Sequence, residues 1–169
     1  RAFEQYLNRG SKGTPISLKI IPKAKDQLLG ALQRGEGDLV APGEILPQGA
    51  ARRISRSRAV IAQVPMVLVS RQGGPRYKSF EQLSGRSLAL SAGSAAGPAL
   101  EKLNRSLMQA GRAPIAVEWV DPTLAVEDVL EMVQAGVYPA TVVEQPIAER
   151  WAKVLPKLRI ESQLTLGDP

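Results

Sequence analysis

Asp26-Gln27-Leu28-Leu29-Gly30-Ala31-Leu32-Gln33-Arg34-Gly35-Glu36-Gly37-Asp38-Leu39-Val40-Ala41 aligns without gaps on Glu127-Asp128-Val129-Leu130-Glu131-Met132-Val133-Gln134-Ala135-Gly136-Val137-Tyr138-Pro139-Ala140-Thr141-Val142, about a hundred residues further on. Leu28, Leu29 and Leu32 recur as Val129, Leu130 and Val133, the spacing of one helical face. Gly35 and Gly136 fall where a helix wants a left-handed residue to end it. Each stretch therefore reads as a short amphipathic helix, a glycine stop and a buried strand, which is half of a βαβ unit. Finding the unit twice predicts two α/β lobes of similar build, and two lobes imply a cleft.

The 169 residues, 44% hydrophobic, suffice for one domain or two small lobes. The longest apolar run, Ala59 to Ser70, is broken by Gln63 and Pro65, short of the roughly 18 residues of a membrane span. With no cysteine, disulfides, thiolate metal sites and Cys nucleophiles are excluded. With no histidine, the commonest general base and the usual zinc and iron ligands go as well. No metal or cofactor is expected. The chain opens on an amphipathic segment, Ala2 to Asn8, and its beginning reads as cut, as in a mature or a trimmed fragment.

The net charge of +6 raises nucleic acid as a partner, and Arg52-Arg53-Ile54-Ser55-Arg56-Ser57-Arg58 concentrates it. Aromatic residues are too few to stack bases, so a solvated basic loop is the preferred reading and no nucleic-acid partner is expected. Such a surface also suits anionic lipid or an acidic cell-wall polymer.

Along the chain, strands are expected at Ile16 to Ile21, Leu39 to Ala41, Val64 to Ser70, Ser87 to Ser91, Val117 to Val120 and Leu158 to Ile160. Helices are expected after Asp26, from Ser79 to Leu83, after Gly93-Ser94, and from Pro146 to Trp151. Gln72-Gly73-Gly74-Pro75-Arg76 reads as a linker. Trp119 and Trp151 read as packing residues.

The order of these elements, with Lys78-Ser79-Phe80-Glu81-Gln82-Leu83-Ser84-Gly85-Arg86-Ser87-Leu88-Ala89-Leu90 followed by Gly93-Ser94, resembles the bacterial extracellular solute-binding proteins of the amino-acid-binding type. Leu130 to Val143 and Trp151-Ala152-Lys153-Val154-Leu155-Pro156 look most like the solute-binding modules fused to lytic transglycosylases of the membrane-bound F type. The resemblance implies an α/β, bilobed fold of the type II periplasmic-binding-protein kind with an incomplete first lobe. Residues 1–69 would form that lobe, 70–160 the second lobe, and 161–169 a segment returning toward the first. It further implies a periplasmic, outer-membrane-associated sensory module for an amino acid, peptide or muropeptide, attached to a transglycosylase. This segment itself would not be an enzyme. A transport binding protein for a polar solute and the effector domain of a transcription regulator are the alternatives. Glu161-Ser162 echoes the transglycosylase catalytic pair without its surrounding motif and is read as chance.

In the resembled family an arginine of the first lobe clamps the ligand carboxylate and an acidic residue of the second takes the amine. Here the arginine position falls on Ala50, with Arg52 and Arg53 two and three residues late, and the apolar wall falls on Arg56 and Ala59. The acidic position falls on Glu144, while the aspartate after the glycine is Pro139. Gly93-Ser94-Ala95 keeps the anion-holding start of a helix. The ligand site is therefore expected at Gly93, Ser94, Ala95, Glu144, Arg52 and Arg53. A plain N-cap at Ser94 and a surface charge at Glu144 are the competing structural readings.

Overall fold

The computed structural model describes residues 1–24, 27–41, 54–58 and 63–167. The chain divides into two compact units, Arg1–Val40 and Ala41–Pro169.

The second unit is built around a five-stranded sheet. Its strands are β1 (Met66–Arg71), β2 (Ser87–Ser91), β3 (Ala116–Val120), β4 (Ala140–Glu144) and β5 (Leu158–Thr165), in the order β3-β2-β4-β1-β5. β2 runs parallel to β3 and to β4, while β1 is antiparallel to both β4 and β5. β1 alone therefore opposes the other four. Cores on both of its faces explain its run of apolar residues, since a strand covered on both faces shows no alternation of apolar and polar side chains. Met66 and Leu68 enter one core with Phe80, Leu83, Leu100 and Leu107. Val67 and Val69 enter the opposite core with Leu130, Val133, Ala148 and Leu158. The period-2 geometry of the strand thus feeds two cores, one on each face of the sheet.

Helix α3 (Ala96–Gln109) and the 3-10 turn Phe80–Leu83 cover the first face, and α4 (Val126–Ala135) and α5 (Gln145–Ala152) cover the second. In α4 the sequence rules act as expected. The Ala125 N–H donates to the Asp128 carboxylate at 2.9 Å, closing the helix start, and Gly136 at φ +82° ends it. The Gly136 and Val137 amides return to the carbonyls of Val133 and Met132, the paired bonds of a Schellman stop. The expected linker is instead a tied turn. The Arg159 guanidinium donates to the carbonyls of Gly74 and Pro75 and to the Ser70 hydroxyl, while the Gln72 amide bonds the Lys157 carbonyl at 2.7 Å.

The first unit contains α1 (Ala2–Asn8) and α2 (Leu28–Gln33). The glycine stop of the first motif forms as expected: Gly35 lies at φ +75°, and the Gly35 and Glu36 amides bond the carbonyls of Leu32 and Ala31. The strands expected at Ile16–Ile21 and Leu39–Ala41 do not form. Both stretches are extended or irregular, no described residue pairs with them as a strand, and Leu39 is 68% exposed. A β-prone sequence becomes a strand only when a neighbour accepts its backbone bonds.

Residues 66–71 and 161–165 both lie in the sheet of the second unit, the former as an interior strand and the latter as the end of an edge strand. Residues 161–165 pair with β1 as part of β5.

Candidate functional site

Because β2, β3, β4 and β5 are parallel, their carboxyl ends meet on one edge of the sheet, beside the amino end of β1. From β2 the chain crosses through α3 to β3 on one side, then through α4 to β4 on the other. The seam between β2 and β4 is thus the point where the strand order reverses. Connections on either side of such a point diverge and leave a crevice outside the strand ends, which is where open α/β sheets place their ligands. Gly93, Ser94 and Ala95 follow β2, and Glu144 ends β4, so the topology brings these four predicted residues to the two lips of that crevice. Arg52 and Arg53, together with Ala50 and Ala59, lie outside the described residues.

On the β2 lip, Gly93 adopts φ +75°, and a side chain there would meet nothing within 4 Å, so the glycine serves the backbone turn rather than a close approach. The Ser94 amide donates to the Ser91 carbonyl at 3.0 Å, and the Ser94 hydroxyl oxygen accepts the Ala96 N–H at 3.2 Å. The Gly97 N–H goes to the Ser94 carbonyl at 3.1 Å, and Pro98 has no N–H. The Ser94 hydroxyl thus accepts from the first residue of α3, whose N-cap is Ala95. The Ser94 hydroxyl proton and the Ala95 N–H have no acceptor among the described residues. Two such donors at the positive end of a 14-residue helix suit one carboxylate or other anionic oxygen.

On the β4 lip, Glu144 pairs in register with Met66 and starts α5 in an extended conformation, half-buried. The seam beneath the two lips is narrow, with Ala89 opposite Thr141 as its registered pair. The Thr141 hydroxyl, almost fully buried, donates across it to the Ala89 carbonyl at 2.8 Å. That bond was not anticipated, and a threonine inside an apolar strand core is the signal that could have found it. Asp121, directly after β3, adds a second carboxylate to the same edge. Its Oδ1 accepts the Thr123 hydroxyl at 2.6 Å and the Thr123 N–H at 2.8 Å, and the hydroxyl bond foremost holds its pKa below the ordinary aspartate range.

A groove of about 370 Å³ lies at the opposite edge, among the amino ends of β2, β3 and β4, lined by Tyr77, Arg86, Ser87, Ala116 and Pro139. The Arg86 guanidinium sits over the Tyr77 ring at 5.8 Å. Strand amino ends lack the diverging connections of the switch point, so the carboxyl edge is the stronger candidate. Among the described residues no group of His, Cys, Asp and Glu is arranged to hold a metal ion. No helix among them is long and apolar enough to cross a membrane.

No protein-family model and no curated protein matches the chain. Solved structures do. An ancestral arginine-binding protein bound to arginine superposes with a TM-score of 0.71 at 20% identity, over 92% of this chain and 65% of that one. An ancestral arginine-binding protein bound to glutamine gives 0.70 at 20% identity, over 91% and 64%. The amino acid ABC transporter substrate-binding protein AbpA of Streptococcus pneumoniae, bound to L-arginine, gives 0.65 at 16% identity, over 90% and 59%. The fold is that of the type II periplasmic binding proteins. Two of these structural neighbours are arginine-binding proteins and the third is the substrate-binding protein of an amino acid ABC transporter, and the chain spans less than two thirds of their length. None of the three is a lytic transglycosylase module.

Proposed function

We propose that this chain is the greater part of a transport substrate-binding protein for a small polar solute of amino-acid type, acting outside the cytoplasm. The observation that carries the reading is the placement of donor and acceptor chemistry on the two lips of one switch point. The Ser94 hydroxyl and Ala95 N–H offer hydrogens to an anionic oxygen after β2, and Glu144 offers a carboxylate to an amine after β4. The arginine and glutamine bound by the neighbouring structures have both groups. The tether to a transglycosylase and the sensory role gain no support from these neighbours, so transport is the preferred reading.

Recognition of the carboxylate is weakened where the resembled first-lobe arginine is replaced by Ala50. Loss of a charge-assisted bidentate pair removes about 1.5–3 kcal/mol, one to two powers of ten in affinity. Free arginine and glutamine are therefore expected to bind more weakly than about 0.1 mM. Calorimetry with these amino acids and with short peptides tests the reading. Binding that falls about tenfold further in Glu144→Gln supports it. Affinity untouched by Glu144→Gln and by Ser94→Pro would move the site elsewhere.

A further inference from the structure

The charge and the uncovered apolar surface of this chain fall in the same part of the sequence. Residues 1–62 hold eleven basic and five acidic side chains, whereas residues 63–169 hold eleven of each, so the first 62 account for the whole excess of +6. Of the eleven large hydrophobic residues exposed among the described residues, seven lie within the first 40. In that unit Ala31 is the one buried hydrophobic residue among those described.

Within the unit these features are assembled rather than scattered. Phe3 and Tyr6, one helical turn apart on α1, stack with ring centroids 6.4 Å apart while remaining 47% and 68% exposed. Asn8 at the end of α1 grips the backbone of Ile16 on both sides. Its amide donates to the Ile16 carbonyl at 2.8 Å, and its oxygen accepts the Ile16 N–H at 2.7 Å. The grip fixes Ile16 to the end of α1, and in the stretch that follows Leu18, Ile20 and Ile21 are also exposed. Arg1, Arg9, Lys12 and Lys19 flank these residues in sequence, and none forms an ion pair among the described residues. Lys23 and Arg34, by contrast, are engaged with Glu36 at 2.7 Å each.

We infer that the α1 and Ile16–Ile21 surface is an interfacial docking site for an anionic lipid bilayer. Aromatic rings and aliphatic side chains enter the headgroup boundary, and the unpaired lysines and arginines meet lipid phosphates. Charge complementarity selects the occupant. A purely apolar partner would leave four cations unmatched, whereas a surface of anionic headgroups matches them without a specific sequence. The site is independent of the solute site at the switch point, so the two proposals fail separately.

The test is sedimentation of the whole chain with vesicles of phosphatidylcholine alone and with about a third phosphatidylglycerol. Binding to the anionic vesicles alone, reversed by raising salt from about 50 to 500 mM, is expected. Lys12→Gln with Lys19→Gln should weaken partition about fivefold per charge, and Phe3→Ser with Tyr6→Ser should weaken it at least as much. All four side chains are exposed, so circular dichroism should be unchanged. Equal partition to both vesicle types, no partition, or self-association of the chain through Phe3 and Tyr6 in its place would overturn the proposal.

Discussion

Val129, Leu130 and Val133 are fully buried beneath the sheet, whereas Leu28, Leu29 and Leu32, their counterparts in the first motif, are only half-covered. Both helices end in the same glycine-dependent stop with the same pair of returning amide bonds. They differ in the fate of the chain beyond that stop. After Gly136 it enters β4, which finds β1 on one side and β2 on the other. After Gly35 it continues through an exposed Leu39 with no strand partner among the described residues. Local chemistry specifies the helix and its stop, but the hydrophobic face of that helix stabilises the fold only when a sheet is present to receive it.

The largest expected contrast is between core and surface positions of the two units. Leu68→Ala, at the centre of β1, should lower stability by about 2–5 kcal/mol in urea unfolding, through lost burial and the cavity left behind. Ile20→Ala, at a position 89% exposed, should change it by less than about 0.5 kcal/mol. Comparable losses would mean that the first unit has a core after all.

Next comes the tie between β5 and the turn after β1. Arg159 and Glu161 have their charged atoms 2.7 Å apart, off the line of a hydrogen bond, with side chains 13% and 22% exposed. Arg159→Ala also strips donors from Ser70, Gly74 and Pro75. A loss of roughly 2–3 kcal/mol is expected, discounted for partial exposure, with faster amide exchange from Gln72 to Gly74. Unchanged exchange there would return the segment to the status of a free linker.

Much of the second unit was readable in advance because its signals are local and periodic. The helix after Gly93-Ser94, the stop at Gly136, the strand at 87–91 and the buried strand after that stop all follow from spacing and turn chemistry. Ser94, Ala95 and Glu144 were proposed from the resemblance, and they sit just before α3 and at the end of β4. Thr141 and Arg159 were missed because their roles depend on partners 52 and 85 residues away in sequence. Trp119, read as core or lobe-surface packing, is 61% exposed, and nothing in Val117 to Val120 reveals that β3 is an edge strand. The strands of the first unit failed for the same reason: pairing is decided by a neighbour, not by the strand.

Smaller effects sharpen the same contrast. Thr141→Val should cost about 1 kcal/mol by removing a side-chain bond across the β2–β4 seam, as read by thermal unfolding. In the first unit, the Lys23 hydrogen bond foremost, then that of Arg34, holds the Glu36 pKa below its ordinary value of 4.5. A depressed carboxylate contributes stability above its unfolded pKa and loses it as pH falls through the folded one. Resonances of Lys23, Arg34 and Glu36 should therefore shift together below about pH 4.5, with global unfolding unaffected. A Glu36 midpoint at or above 4.5 would show that the contact is not populated in solution.

Amide chemical-shift mapping during titration with arginine, glutamine and short peptides tests the central claim most directly. A solute held at the carboxyl edge of the sheet should perturb Gly93, Ser94, Ala95 and the Glu144–Gln145 pair first. Replacing Glu144 by Gln should abolish the response on the β4 lip while leaving the one at Ala95. Perturbations confined to Tyr77, Arg86 and Ala116, at the opposite edge, would contradict the assignment and place the site in the groove among the strand amino ends.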